Sequence, residues 1–490
     1  MSSSSSSPLT VLTDPQVHSL LEGMDFADAE DFRSVMEDAL VEYSIGINAA
    51  AAAAANGEDG GSRKGALSIG ENAIVHQPPR TSVTVPSTEA TSLFMPSASS
   101  RGVGVKVVTL GTGTKSKVST RPTGAITLFH PSGEPFALLH ARTLTAYRTA
   151  LASMTLFRRR RRVHNIVVFG TGEQAYWHLR LSLLYGGGGA GNGEIKRITV
   201  VPAREGASST AAASALIARL FAVPDNVKTR EGWGASASGT NNGTDVKMTV
   251  LPRSHEDYPT LLEKYLRGSD VIYCCTPSRA PLFPATVLTS HEGRRRGRLI
   301  IAIGSYTHEM IELPPELVWQ ALKKKRHWHK HAQEGGVLVV DSLDGALDEA
   351  GEVRAARLDP GRMVELGEIL LLARSACADC ADCDDDDRTP VDNDGEDSVT
   401  TSPSTAGSSG SKLSSKLTGF KRIRKTLSAA TRPKNPVEEE DNHNNNFSSW
   451  LRGGNVIYKS VGLGVMDLAV GKHVTEVARQ RKIGTIVEGF

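Results

Sequence analysis

The segment Val167-Val168-Phe169-Gly170-Thr171-Gly172-Glu173-Gln174-Ala175 constrains this chain more than any other. A short apolar run, Asn165 to Phe169, meets two glycines one residue apart, and a helix-forming stretch, Glu173 to Leu184, follows at once. Strand, tight turn and helix in that order bring bare amide N–H groups and a helix N-terminus to one point, where a pyrophosphate can sit. Gly170 allows the turn and Gly172 lets the backbone approach the phosphates. Ala175 is small enough for the helix to pack on the strand. The predicted dinucleotide cradle is therefore Gly170, Thr171, Gly172, Glu173, Gln174 and Ala175.

Apolar runs recur downstream at Ile166–Phe169, Ile198–Val201, Met248–Leu251, Val271–Cys275, Leu299–Ile303 and Val337–Val340, with helical stretches between several of them. This alternation predicts an α/β fold with a Rossmann-like doubly wound parallel sheet over about Leu144 to Leu372. The preceding block, Pro8 to about His140, opens with helical stretches at Asp14–Met24 and Glu30–Tyr43. Short alternating segments follow at Ser82–Val85, Val103–Leu110, Gly124–Phe129 and Pro135–His140. They predict a second, α+β domain with an antiparallel sheet. Asn455 to Phe490, with a short strand and a helix over Val465–Lys482, is expected to pack back on the first or the second block. Four stretches read as inserts: the alanine run Ala49–Ala55 with Gly57–Lys64, then Gly186–Gly193, Gly234–Thr244 and Ala376 to about Asn446. The last, with Asp384–Asp387 and a Ser/Thr/Gly tract, has too little apolar content to offset chain entropy, so disorder is expected there.

The formal net charge of the 490 residues is +2. That balance gives no ground for a nucleic-acid partner or an anionic membrane surface. No run approaches the roughly 18 apolar residues that cross a bilayer, and Met1–Pro8 lacks a basic stretch leading into an apolar one. The five cysteines are badly placed for a disulfide framework and suit a reducing compartment, so a cytoplasmic location is expected. Cys377, Cys380 and Cys383 have metal-like spacing, but among Ala and Asp repeats they lack a framed fourth ligand. His327, His329 and His331 lie in a basic connector. No metal is expected at either.

Five further segments match one family: His76-Gln77-Pro78-Pro79-Arg80; Gly104-Val105-Lys106-Val107-Val108; Leu144-Thr145-Ala146-Tyr147-Arg148-Thr149-Ala150; Asp270-Val271-Ile272 with Thr276-Pro277-Ser278; and Tyr458-Lys459-Ser460-Val461-Gly462 with Asp467-Leu468-Ala469. With the glycine turn, these motifs in this order resemble the ornithine cyclodeaminase/mu-crystallin family. The resemblance implies a bound NAD or NADP, a second domain, residues 8–140 completed by 455–490, that carries substrate contacts and dimerises through its sheet, and redox chemistry at a carbon bearing nitrogen. A homodimer acting on a small imino or amino acid is the expectation.

Arg80, Lys106 and Arg148 match the family's basic substrate contacts. A planar guanidinium holds a carboxylate with two parallel hydrogen bonds. Arg80 and Arg148 would clamp the substrate carboxylate, and Lys106, desolvated on a strand, would handle the proton on nitrogen. Loops after the parallel strands lie at the carboxyl edge of the sheet, where ligands bind. Thr276, Pro277, Ser278, Gly304 and Ser305 would border the cofactor there, and Lys459 and Ser460 resemble the segment that returns to the nicotinamide. Asp341 is either a contact or a strand-end cap. The second strand of the parallel sheet is followed by Pro202, Ala203 and Arg204, with no carboxylate at its tip, so NADP is expected over NAD, which stays possible.

Family cyclodeaminases carry an Asp two residues after the glycine that ends the fifth strand; Tyr306 stands there. A phenol, pKa about 10, is a poor carboxylate substitute. The expectation is an NAD(P)H-dependent ketimine (imino acid) reductase. The alternatives are an alanine dehydrogenase-type enzyme, a cyclodeaminating lyase with recycled NAD, and a non-enzymatic NADP-binding protein.

Overall fold

The computed structural model describes residues 8–55, 75–111, 122–186, 195–233, 246–304, 307–322, 336–379 and 451–490. Strands are β1 (Leu9–Leu12), β2 (Thr81–Thr84), β3 (Thr91–Ser99), β4 (Gly102–Leu110), β5 (Thr123–Phe129), β6 (Pro135–His140), β7 (Asn165–Phe169), β8 (Arg197–Val201), β9 (Lys247–Val250), β10 (Val271–Cys274), β11 (Leu299–Ala302), β12 (Val337–Val340), β13 (Met363–Glu365), β14 (Val456–Lys459) and β15 (Thr485–Val487). Helices are α1 (Asp14–Glu22), α2 (Phe26–Ala55), α3 (Ala141–Phe157), α4 (Glu173–Gly186), α5 (Ala207–Phe221), α6 (Asp225–Arg230), α7 (Tyr258–Gly268), α8 (Thr286–Thr289), α9 (Pro315–Ala321), α10 (Leu343–Glu349), α11 (Gly351–Ala355), α12 (Leu366–Asp379) and α13 (Gly464–Gln480).

Among the described residues two sheets form. One is parallel and eight-stranded, in the order β13-β12-β14-β11-β10-β7-β8-β9. Its strands are short and continuously apolar because helices cover both faces. The order reverses around β7, so the turn at Gly170 opens at the switch point where dinucleotides bind. The other sheet has seven strands, β15-β1-β6-β5-β4-β3-β2. It is antiparallel, as expected, except where β1 runs parallel to β6. The fold class read from the sequence otherwise stands.

The C-terminal segment divides between the domains, and this corrects the assignment of 455–490 to the second domain. β14 pairs with β11 on one side and β12 on the other, in the middle of the parallel sheet. Val456, Ile457, Tyr458 and Lys459 are all buried, as in an inner strand. α13 crosses back onto β3 and β4 of the second sheet, and β15 pairs antiparallel with β1. The alanine run read as an insert instead continues α2 to Ala55, as high helix propensity favours. α12 likewise runs to Asp379, past the expected start of the disordered tract; most of that tract lies outside the described residues.

β3 escaped the sequence reading because Pro96 interrupts it. β2 ends opposite Phe94, so Pro96 lies beyond that ladder and its missing N–H forfeits no bond to β2. Along β4, Gly102, Gly104 and Lys106 point into the protein and Val103, Val105 and Val107 point away. The inward face meets α13.

Because β14 is flanked on both sides, a chain ending at residue 450 would leave β11 and β12 without a shared partner. We expect that truncated chain to show no cooperative thermal unfolding by circular dichroism; a sharp transition would contradict the central placement of β14.

Candidate active site

Lys106 sits mid-strand between Met95 of β3 and Ile126 of β5, both apolar and buried. It is 3% exposed, as is Arg148 on the second turn of α3. Both cations end on one carboxylate. Asp467, in the first turn of α13, accepts from Lys106 Nζ at 2.5 Å through Oδ2 and from Arg148 Nε at 3.2 Å through Oδ1. An acidic side chain in a helix's first turn is also favoured by the helix dipole. Burial lowers the Lys106 pKa most, Asp467 opposes that, and Arg148 and Arg80 lower it further; the result is about 8.

Arg80 approaches from the segment before β2. Its guanidinium bonds the Glu349 carboxylate and, at 3.2 Å, the Val461 carbonyl. Glu349 ends α10, so this ion pair joins the two domains. The segment after β14 completes the enclosure. Buried Asp341 accepts from Ser460 Oγ at 2.6 Å, Val461 N at 3.1 Å and Gly462 N at 2.7 Å. Gly462 has φ +90°, and a Cβ there would come within 2.9 Å of Arg148 Nη2. Arg80 and Arg148 thus lie against the segment that leaves the carboxyl edge of the parallel sheet.

At the glycine turn, Gly170 has φ +109° and a Cβ would fall 2.6 Å from the Cys275 carbonyl oxygen, whereas one at 172 would meet nothing within 4 Å. The turn therefore closes tightly at its base and opens at the N-terminus of α4, as a pyrophosphate requires. Thr171 and Gln174 are partly buried and Ala175 fully. Glu173 would repel a phosphate if it stood alone. Arg142 holds it at 3.1 Å, and Arg219 holds both its oxygens at 3.0 Å, leaving the cradle with more positive than negative groups.

Glu312 ties the two loops that border this cleft. Its carboxylate accepts from Thr276 N at 2.8 Å, Thr276 Oγ1 at 3.2 Å and Gly304 N at 2.7 Å. Burial raises its pKa to about 8, against the opposing pull of Lys459. Lys459 itself is buried, 3.0 Å from Glu352 and 4.0 Å from Glu312. Its side chain therefore braces the loops from behind. Ser460 is likewise engaged with Asp341.

The remaining expected contacts separate. Pro277 is exposed, and Ser278 Oγ bonds the Ala280 carbonyl, which is turn chemistry. Ser305 and Tyr306 lie outside the described residues. Arg204 is exposed beyond β8. Beside it stands Arg253, whose Nε bonds the Pro202 carbonyl at 3.2 Å. The Tyr258 hydroxyl is buried without a hydrogen-bond partner among the described residues, and it lies in the field of Arg253 and Glu205.

The motif reading missed Asp467, Glu349, Glu312, Arg142, Arg219 and Arg253. Asp467 carried a signal: it lies within a quoted motif, and two expected cations in a buried site call for a carboxylate. The others are joined to the site only by long-range contacts that no local spacing reveals.

The resemblance drawn from the motifs holds: residues 45–183 match the model described as the ornithine cyclodeaminase/mu-crystallin family. The chain is 24% identical over 292 residues to an uncharacterised protein of Saccharomyces cerevisiae, spanning 56% of this chain and 70% of that one. It is 30% identical over 101 residues to delta(1)-pyrroline-2-carboxylate reductase 2 of Burkholderia ambifaria, spanning 21% and 25% respectively. It is similar in fold to the solved structure of Thermococcus litoralis delta(1)-pyrroline-2-carboxylate reductase in complex with NADH and L-proline, with TM-score 0.56 and 17% identity over 97% of this chain and 99% of that one. Among the described residues no helix is long and apolar enough to cross a membrane.

Removing one partner of a buried ion pair leaves an uncompensated charge and costs about 3–5 kcal/mol. Asp467→Ala strands two cations, so we expect a loss of at least that order in chemical denaturation. Unchanged stability would show that Asp467 does not carry the pairings seen here.

Proposed function

With the ornithine cyclodeaminase/mu-crystallin family as the premise, we propose that this chain is an NAD(P)H-dependent oxidoreductase that reduces the C=N bond of a small imino acid. One observation carries the reading. Lys106 and Arg148 are drawn together on Asp467, and the Gly462 turn that covers Arg148 follows β14, whose neighbour β11 leads into the Gly304 loop. A carboxylate gripped there lies beside the dinucleotide cleft.

A nicotinamide dinucleotide supplies hydride when bound. This chain's residues do the rest. Arg148 and Arg80 orient the substrate carboxylate. Lys106 keeps its proton below pH 8 and gives it to the substrate nitrogen; Asp467 fixes the ammonium in place. The relatives act on related chemistry: the Thermococcus litoralis protein was solved with NADH and L-proline, and the Burkholderia ambifaria relative is a pyrroline-2-carboxylate reductase.

NADP is favoured over NAD by the second strand's tip. Arg253 is fixed there by the Pro202 carbonyl, with Arg204 exposed beside it; a guanidinium at this place accommodates a 2′-phosphate. The protein acts as a homodimer. The outer face of the mixed sheet exposes Phe94, Val103 and Leu138 without a covering helix in the described chain, and a second copy would cover it.

Purified protein with NADPH and a panel of cyclic ketimines should oxidise the cofactor. No oxidation with any of them, combined with ammonia release from ornithine, would instead establish the cyclodeaminating lyase. Lys106→Met should lower kcat/KM by at least about a hundredfold, the lower range for loss of a general acid. The wild-type rate of reduction should fall as pH rises through about 8, where Lys106 loses its proton. A flat profile from pH 7 to 9 would remove Lys106 as the donor. Arg253→Ala should raise KM for NADPH by roughly tenfold, the loss of one charge-assisted hydrogen bond, and leave KM for NADH unchanged.

A further inference from the structure

The cations of the clamp are matched unequally. Lys106 and Arg148 share Asp467, which is buried and engaged on both oxygens. Arg80 is matched by Glu349 from the other domain. The side chain of Glu349 is about one-fifth exposed, at 22%, against 2% for Asp467. Asp341 lies nearby, but its oxygens already accept from Ser342, Ser460, Val461 and Gly462. Glu349 is then the one paired carboxylate of the clamp that a ligand can reach.

We propose that Glu349 sets the charge class of the substrate: it receives the cationic nitrogen of an imino acid bearing one carboxylate and repels a second carboxylate from Arg80. The inference rests on the clamp described under the proposed function and adds a selectivity that the clamp alone does not have. A one-carboxylate imino acid with a protonated nitrogen offers one negative and one positive group. The negative group meets Arg148 and Arg80, and the nitrogen, once protonated from Lys106, meets Glu349. A dicarboxylate brings its second anion against Glu349, and like charges juxtaposed in a partly desolvated site oppose binding.

The environment of Glu349 gives a second readout. Burial raises its pKa most, Arg80 lowers it, and Asp341 and Asp348 raise it, to about 6. Below that pH it is neutral and Arg80 is released, so discrimination against a dicarboxylate fades on acidification. Lys106 stays protonated throughout this range.

Calorimetric titration of the full chain, loaded with NADPH, tests this with L-proline and pyrrolidine-2,5-dicarboxylate, both bearing a cationic ring nitrogen, as probes. Wild type at pH 7.5 should bind the monocarboxylate at least about tenfold tighter. Glu349→Gln, which keeps shape and removes charge, should abolish that ratio, and wild type at pH 5.5 should approach the variant. A ratio unchanged in Glu349→Gln overturns the inference, as does an equal loss of both ligands, which is what a merely structural role through Arg80 would give. Wild type that binds both probes equally overturns this inference and leaves the clamp standing. Wild type that binds neither overturns the clamp as well.

Discussion

Asp467 holds Lys106 and Arg148 in a place where neither cation could stay unpaired. A buried lysine and a buried arginine each lose hydration that the interior does not return, and only a shared carboxylate makes their juxtaposition tolerable. The pairing also dictates topology. Lys106 comes from β4, Arg148 from α3 and Asp467 from α13, so the site exists only when the C-terminal helix has crossed back over the second sheet. One interaction thus joins the folding of the chain's two ends to the assembly of its chemistry.

The same strand-to-helix passage serves both domains. β14 is an inner strand of the parallel sheet, and the turn after it runs directly into α13 on the other sheet. Asp341 fixes that turn through three donors. Behind it, Lys459 lies between Glu312 and Glu352, and Glu312 holds the Thr276 and Gly304 loops together. The side chains of Lys459 and Ser460 engage Glu352 and Asp341 and brace this backbone. A side chain's position in a motif told where the segment runs and not which way the side chain points.

The parallel strands were legible because buried α/β strands are short apolar runs, and the glycine turn because a positive φ at Gly170 leaves few other residues possible. The place of β14 was not. It lies about seventy residues beyond α12, across the 380–450 stretch, and nothing in Val456–Lys459 itself states that β11 and β12 are its neighbours. Lys106 and Arg148 stood out through the motifs around them, whereas Glu349 and Arg253 are ordinary helix-end and loop charges until the fold sets them beside Arg80 and Pro202. Local pattern identifies elements; charge pairing between distant elements needs the three-dimensional arrangement.

We propose that Arg148, held by Asp467, joins Arg80 to grip a substrate acid group beside the dinucleotide cleft while Lys106 faces its nitrogen. A crystal structure of the NADP-loaded protein with a cyclic one-carboxylate ligand tests it most directly. The ligand's carboxylate oxygens should lie within about 3.2 Å of Arg148 and Arg80, the ordinary hydrogen-bond limit, with its nitrogen facing Lys106. A ligand seated elsewhere, with Lys106 and Arg148 still turned wholly onto Asp467, would contradict it.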